Sequence, residues 1–299
     1  MSFNNVNRPD GNIGELNQKL HEAYDDIVKS VPSAVGSILK MENLDRPHGL
    51  FTFWDSVPHP RKWEGSRVAQ NVKLQSVPVK SVPHELTVEM DKDEYRSATF
   101  SSLINKLESI AAAQSRLADR EVARVLAEGS STNGYDGVPI FSAAHPRNNG
   151  LANQSNLIGS SALNLTNLIA AYNRMAGFTD AEGEPLLLKP TTVVVPSQLA
   201  LQAKDIINST LVGGGNSNVL NGLGLDIVVL PELDKYSTTS WYLLSGSPIT
   251  HFVFEPAHFD IFDGDKDEPV FNRRKVLLGW SASFETQIGL WQPVLKCNA

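Results

Sequence analysis

The sequence predicts an α+β fold, and three features of its patterning carry that prediction. Ser97 to Glu128 contains neither Gly nor Pro and bears one apolar stripe at helical spacing, which makes it a single long helix. Residues 63 to 90 hold two runs in which apolar and polar side chains alternate, the period of strands lying on a surface. Residues 160 to 250 mix β-branched runs with helix-spaced segments between Gly- and Pro-rich turns, the pattern of a compact α+β domain.

Taken in order, the chain opens with a helix. Ile13, Leu16, Leu20, Tyr24, Ile27 and Val31 recur at spacings of three and four, so they share one face, and that face needs a partner. Pro32 limits the helix, and Gly36, Pro47, Gly49 and Pro58 interrupt the residues after it, so residues 1–57 read as an extended arm with one helix. Val68, Val72 and Leu74 alternate, as do Leu86, Val88 and Met90, which predicts two strands joined by the long connection Gln75 to Pro83. The valines of that connection, Val77, Val79 and Val82, have no evident core of their own. Either the hairpin lies on its own domain, or it projects and buries these valines and Trp63 against a neighbouring subunit.

The long helix carries Phe100, Leu103, Ile104, Leu107, Ile110, Leu117, Val122 and Leu126 along its stripe, and Gly129 ends it. At 1.5 Å per residue it would run roughly 45 Å, the length of a strut across more than one structural unit. Loop chemistry dominates from Gly129 to Gly159, then a helix at Leu163 to Met175 is stopped by Gly177. A strand at Thr191 to Val195, a helix at Pro196 to Ile207 and a strand at Leu225 to Leu230 come next. Ser240 to Pro293 closes the chain as a β-rich segment that includes Trp241 to Leu244 and a long final run from Lys275 to Trp291.

Composition narrows the function. The 299 residues allow about two domains, and 41% hydrophobic, 20% charged and 8% aromatic content excludes disordered, collagenous and coiled-coil chains. A net charge of -7 argues against a dedicated nucleic-acid binder, whose affinity would rest on phosphate neutralisation. Cys297, the only cysteine, permits neither an intrachain disulfide nor a cysteine zinc cluster. The beginning of the chain has no basic-then-apolar leader and no run of ~18 apolar residues occurs, so a soluble, cytoplasmically made protein is expected.

Motifs that carry chemistry are scarce. The seven histidines include no His-Glu-x-x-His pair, and no Gly-x-Ser-x-Gly elbow is present. Gly213-Gly214-Gly215 lacks a following Gly-Lys-Ser/Thr, and Gly222-Leu223-Gly224 lacks the context of a dinucleotide site, so both read as loops. The acidic stretch Asp263 to Glu268 lacks calcium-loop spacing and reads as a solvated hairpin turn. Tyr135, Asp136 and His145 could be imagined as an acid/base set, but a capped loop histidine explains them more simply. No catalytic, cofactor or metal residue is assigned.

Six segments in sequential order carry a family likeness. They are Trp63-Glu64-Gly65-Ser66-Arg67; His84 to Asp91; Tyr135 to Phe141 with Ala144-His145-Pro146; Phe178-Thr179-Asp180 with Glu182-Gly183 and Pro185-Leu186; Val193 to Pro196; and Val270-Phe271 with Arg274-Lys275, Gly279 and Gly289 to Gln292. Together they resemble the Mu-like prophage major head subunit family, across roughly residues 58 to 295. The resemblance implies the Hong Kong 97-like fold of tailed-bacteriophage major capsid proteins. It divides the chain into an N-terminal arm (1–57), an extended two-stranded loop (58–96), a peripheral domain with a spine helix (97–160 completed by 251–299) and an axial domain (161–250).

The function that the resemblance implies is that of a non-enzymatic shell subunit with no cofactor. Copies would form the hexamers and pentamers of an icosahedral virion shell around double-stranded DNA, held without sequence-specific binding and without a membrane. Scaffold, portal and decoration proteins are the implied partners, and assembly in the host cytoplasm the implied place. Trp63, Val77, Val79 and Val82 are the candidate inter-subunit contacts, while Lys73 and Lys80 read as solvated lysines of an exposed edge and less well as cross-link sites. The first alternative is an encapsulin-like nanocompartment shell with a protein cargo, and the second a hydrolase with its site in the loop Gly134 to Pro146.

Overall fold

The computed structural model describes all residues except 1–12, 31–32, 57–59, 61, 68–72, 98–99, 148–149, 181, 213–215, 265 and 299. In chain order the elements are α1 (Ile13–Ser30), β1 (Leu39–Asn43), β2 (His48–Ser56), β3 (Lys73–Lys80), β4 (Val82–Asp91), α2 (Lys92–Ser97), α3 (Phe100–Glu128), β5 (Leu157–Ile158), α4 (Leu165–Ala176), β6 (Thr192–Val195), α5 (Ala200–Asn208), β7 (Leu211–Val212), β8 (Asn216–Ser217), β9 (Asp226–Val229), β10 (Trp241–Leu244), β11 (Ile249–Phe262), α6 (Glu268–Arg273), β12 (Lys275–Ile288) and β13 (Val294–Cys297).

Two sheets organise the body. The first has the order β1-β11-β12-β4, with β1 parallel to β11 and the other pairs antiparallel. Every second residue of β12, from Val276 through Leu278, Trp280, Ala282 and Phe284, is buried beneath α1 and the first half of α3. That half contributes Leu103, Leu107, Ile110 and Ala111 to the same core, and α1 contributes Leu20 and Tyr24. The helix periodicity and the strand periodicity thus meet in one layer.

The second sheet runs β5-β13-β10-β6-β9 and is buried on both faces. Val193, Val195, Trp241, Leu243 and Leu295 face α4 and α5. Val194, Tyr242, Leu244 and Val294 face the opposite way, where they meet Val122, Val125 and Leu126 from the last turns of α3. The continuous apolar runs of these short strands follow from cover on both sides. α3 therefore enters two cores, one at each end of its 29 residues. Gly129 follows its last residue, where a Cβ would sit 2.7 Å from the Phe141 ring, whose residue returns to donate its N–H to the Gly129 carbonyl at 2.9 Å.

The strand pairing departs from the sequence reading in several places. Of the predicted run Val68, Val72 and Leu74 only Leu74 lies within the described residues, and its strand β3 pairs with β2, while the run Leu86 to Met90, in β4, pairs with β12. Gln75 to Pro83 is therefore not a connection; it is most of β3 together with the start of β4, joined through Ser81. Residues 1–57 are more than an arm, since β1 extends the first sheet and β2 forms half of the hairpin. The division at residue 250 does not match the layers either, because β13 crosses back to lie between β5 and β10 in the second sheet. The partners of β1 and β4 are distant in sequence, β13 returns to a sheet begun far upstream, and β3 turns back on the strand before it; local periodicity carries no information about which edge a strand joins. The acidic turn after β11 leads into α6 rather than directly into a strand. Gly213 to Gly215 lies outside the described residues, between the paired strands β7 and β8.

Candidate functional site

The hairpin β2–β3 holds Val77 and Val79, two of the predicted contact residues. Its register pairs Gly49 with Val79, Phe51 with Val77 and Phe53 with Gln75, so these pairs share one face, while Leu50 with Pro78 and Thr52 with Ser76 share the other. The first face rests on the molecule itself. Phe51 meets Phe252 edge-on at 4.9 Å between ring centroids, and Phe53 meets Tyr135 at 5.3 Å. The second face is open, with Leu50 exposed at 70% and Leu74 at 55%.

This register sorts the predicted contact residues. Val79 is only 2% exposed because it points with Phe51 and Phe53 into its own chain. Val77 is half-buried on the same face, and Val82 and Trp63 are exposed. Trp63 donates its indole N–H to the Gly65 carbonyl at 2.5 Å and lies under the Arg67 guanidinium at 5.1 Å, which holds the ring in place while 70% of the residue stays in solvent. Leu50 and Leu74 are contact candidates that sequence reasoning missed; the alternation from Leu50 to Phe53 was the available signal, inside a segment that reads as arm.

Charge also separates the hairpin from the body. Residues 48–80 carry five bases (Arg61, Lys62, Arg67, Lys73 and Lys80) and two acids (Asp55 and Glu64), a net +3, so the rest of a chain of net charge -7 carries -10. Below the hairpin's root, a cavity of about 390 Å³ separates Ser76 to Pro78 from Arg124, Glu128 and Gln287. Arg124 is bound there to Glu121 at 2.7 Å, Glu285 at 3.2 Å and Glu128 at 3.3 Å. Burial pushes the Glu285 carboxyl above its ordinary value, with Arg124 opposing. Gln287 Nε2 bridges the gap to the Pro78 carbonyl at 3.2 Å.

The loop that holds Tyr135, Asp136 and His145 is a packed joint. His145 is completely buried and stacks on Trp291 at 3.9 Å and 6°. Its Nδ1 lies 2.6 Å from Asp136 Oδ2 and its Nε2 lies 3.0 Å from Asn156 Oδ1. Asn156 is oriented by three carbonyls that its Nδ2 reaches, those of Ile140 at 2.7 Å and of Trp291 and Val294 at 3.2 Å, so its Oδ1 accepts and His145 Nε2 donates. Tyr135 is engaged separately, its hydroxyl accepting from Gln292 Nε2 at 2.9 Å. Asp136 and His145 are brought together as an acid/base pair would be, but the ring has no exposed atom with which to meet a substrate, and both of its nitrogens are occupied. Among the described residues no group of three or more His, Cys, Asp or Glu could hold a metal ion, and no helix is long and apolar enough to cross a membrane.

A family model described as phage capsid protein matches residues 85–285. No curated protein matches the chain. Among solved structures, the procapsid of bacteriophage JBD30 aligns with a TM-score of 0.57 and 14% identity over 95% of this chain and 74% of that one. The capsid of cyanophage P-SCSP1u aligns with a TM-score of 0.58 and 12% identity over 90% and 88%. A virus-like particle from Pyrococcus furiosus aligns with a TM-score of 0.55 and 10% identity over 94% and 98%.

Proposed function

The chain belongs to the phage capsid protein family and has the Hong Kong 97-like fold of phage major capsid proteins, and from this we propose that its copies assemble as hexamers and pentamers into an icosahedral virion shell around double-stranded DNA. Within the family, the ordered segments from Trp63 to Gln292 favour the Mu-like prophage head subunits. The four-stranded sheet with α1 and the first half of α3 is assigned to the peripheral domain, and the five-stranded sheet with α4 and α5 to the axial domain. Scaffold, portal and decoration proteins, and assembly in the host cytoplasm, belong to the same reading. The role needs no catalysis, and the burial of His145 speaks against the hydrolase alternative. An encapsulin-like shell shares the fold, but the family match favours the phage capsid.

The observation that carries the assembly reading is the hairpin: a basic element with exposed Trp63, Leu50 and Leu74 on a body of net negative charge. The docking partner that fits both properties is the acidic body of a second copy, with apolar contact at the centre and charge attraction around it. A contact of this kind is weak alone and is multiplied by the symmetry of a closed shell. Trp63→Asp combined with Leu74→Asp tests the assignment. The expected result is an unchanged thermal midpoint and no shells by sedimentation and negative-stain microscopy, whereas normal shells would overturn it. A double variant that unfolds would equally overturn it, by placing these side chains inside their own subunit.

A further inference from the structure

We propose that His251, Phe284 and His84 form an acid-sensitive latch between the long helix α3 and the four-stranded sheet. The three residues come from neighbouring strands: His251 from β11, Phe284 from the central strand β12 and His84 from β4. The His84 ring lies flat on Phe284, with centroids 4.2 Å apart and an interplanar angle of 8°. His251 lies 4.3 Å from the same ring at 39°. The register places His84 opposite Ala282 and Val253 opposite Phe284, so the two imidazoles flank the phenyl from different strands.

His251 is 7% exposed, and its Nδ1 is 2.8 Å from Thr286 Oγ1. The Nδ1 of His84 is buried and has no hydrogen-bond partner. His251 also forms part of the wall of a largely apolar groove of about 360 Å³, whose other sides are Leu117 and Ala118 of α3, Met41 of β1 and Trp280 of β12. A ring in this position supports the helix–sheet contact only while it is uncharged, because a charge there sits among aliphatic and aromatic groups.

The charged groups around it do not neutralise a proton on His251. On α3, Glu121 is the acid whose charge acts on the ring, but it is held by Arg124, which also binds Glu128 and Glu285 of β12. Asp119 of α3 accepts from the Ser33 hydroxyl at the edge of the groove, and Glu255 of β11 lines its far end. On β1, Lys40 and Glu42 bind one another while Met41 faces the groove. From β4 the facing group is His84 itself, a second imidazole. Burial lowers the His251 pKa to about 4, with Glu121 opposing and His84 adding to the depression.

The folded value lies below the ordinary histidine value of about 6.5, so the stabilisation that neutral His251 supports is complete above pH ~6.5 and is lost as the pH falls towards 4. A charged ring is relieved only by reaching water, and the movement that exposes it breaks the Thr286 bond and the stack on Phe284 and loosens α3 over residues 114–121. The latch belongs to the single subunit and does not depend on the assembly reading.

The test compares thermal midpoints of the full chain and of His251→Gln from pH 7 to pH 4. The wild-type midpoint is expected to fall more steeply below pH 6.5, with about one extra proton taken up on unfolding at pH 5 relative to the variant. Parallel curves would overturn the latch. Because the variant can fail to fold, the histidine ring resonances of the wild-type chain are also followed by NMR. The His251 ring, assigned by its proximity to Thr286, is expected to titrate below pH ~5, and a His251 ring that titrates above that value would overturn the proposal.

Discussion

Asn156→Asp changes one side-chain nitrogen into oxygen and keeps the shape, so it isolates the joint that binds the loop after α3 to the end of the chain. In the native protein the two N–H groups of Asn156 are shared among the carbonyls of Ile140, Trp291 and Val294, while Oδ1 accepts from the Ser142 N–H at 2.9 Å and from His145 Nε2 at 3.0 Å. The residue has no exposure. In the variant a carboxylate oxygen faces three carbonyl oxygens, with the loss of at least two hydrogen bonds at about 1 to 3 kcal/mol each when acceptors are left buried and unpaired. Two such losses total about 2 to 6 kcal/mol. With an unfolding entropy of roughly 2.1 cal/mol/K per residue, a cooperative chain of 299 residues should melt about 3 to 10 °C lower, measured by calorimetry at pH 7. The deficit is expected to shrink in acid, because a protonated carboxyl can donate to one of the three carbonyls. A neutral-pH midpoint within about 1 °C of wild type would refute the reasoning, since it would mean that these carbonyls do not depend on Asn156.

Leu107 has no exposure and packs in the core shared by α1, α3 and the four-stranded sheet, so Leu107→Ala is expected to cost about 2 to 5 kcal/mol in denaturant titration; an unchanged midpoint would show that the helix face is not core. Asp263→Asn probes the turn before α6. Burial raises the Asp263 carboxyl above its ordinary value, with Asp267 adding and the Asn17 amide opposing, so the charged form is disfavoured in the fold and stability is lost as pH rises through the folded value. The variant should therefore melt higher than wild type at pH 7, with the gain vanishing near pH 3; a gain that persists in acid would assign it to another cause.

The chain by itself determined the elements whose burial is written as periodicity. The stripe from Leu103 to Leu126 and the stop at Gly129 marked α3, and Gly177 marked the end of α4. The uninterrupted Thr192 to Val195 and Trp241 to Leu244 marked strands covered on both faces. Tertiary structure alone decided the rest. β1 is five residues with no alternation and exists because it lies parallel to β11, more than two hundred residues away. Pro78 made the segment after Leu74 look broken, yet β3 accepts it as an edge strand paired only with β2, where a missing N–H is tolerated. That pairing turned Val79 inward and left Leu50 and Leu74 outside. The same holds for the joint at Asn156 and the latch at His251, whose partners come from separate strands and loops. Periodicity records which side of an element is buried, because burial acts on each residue locally; the identity of the partner depends on the whole chain closing on itself, and no local pattern encodes that.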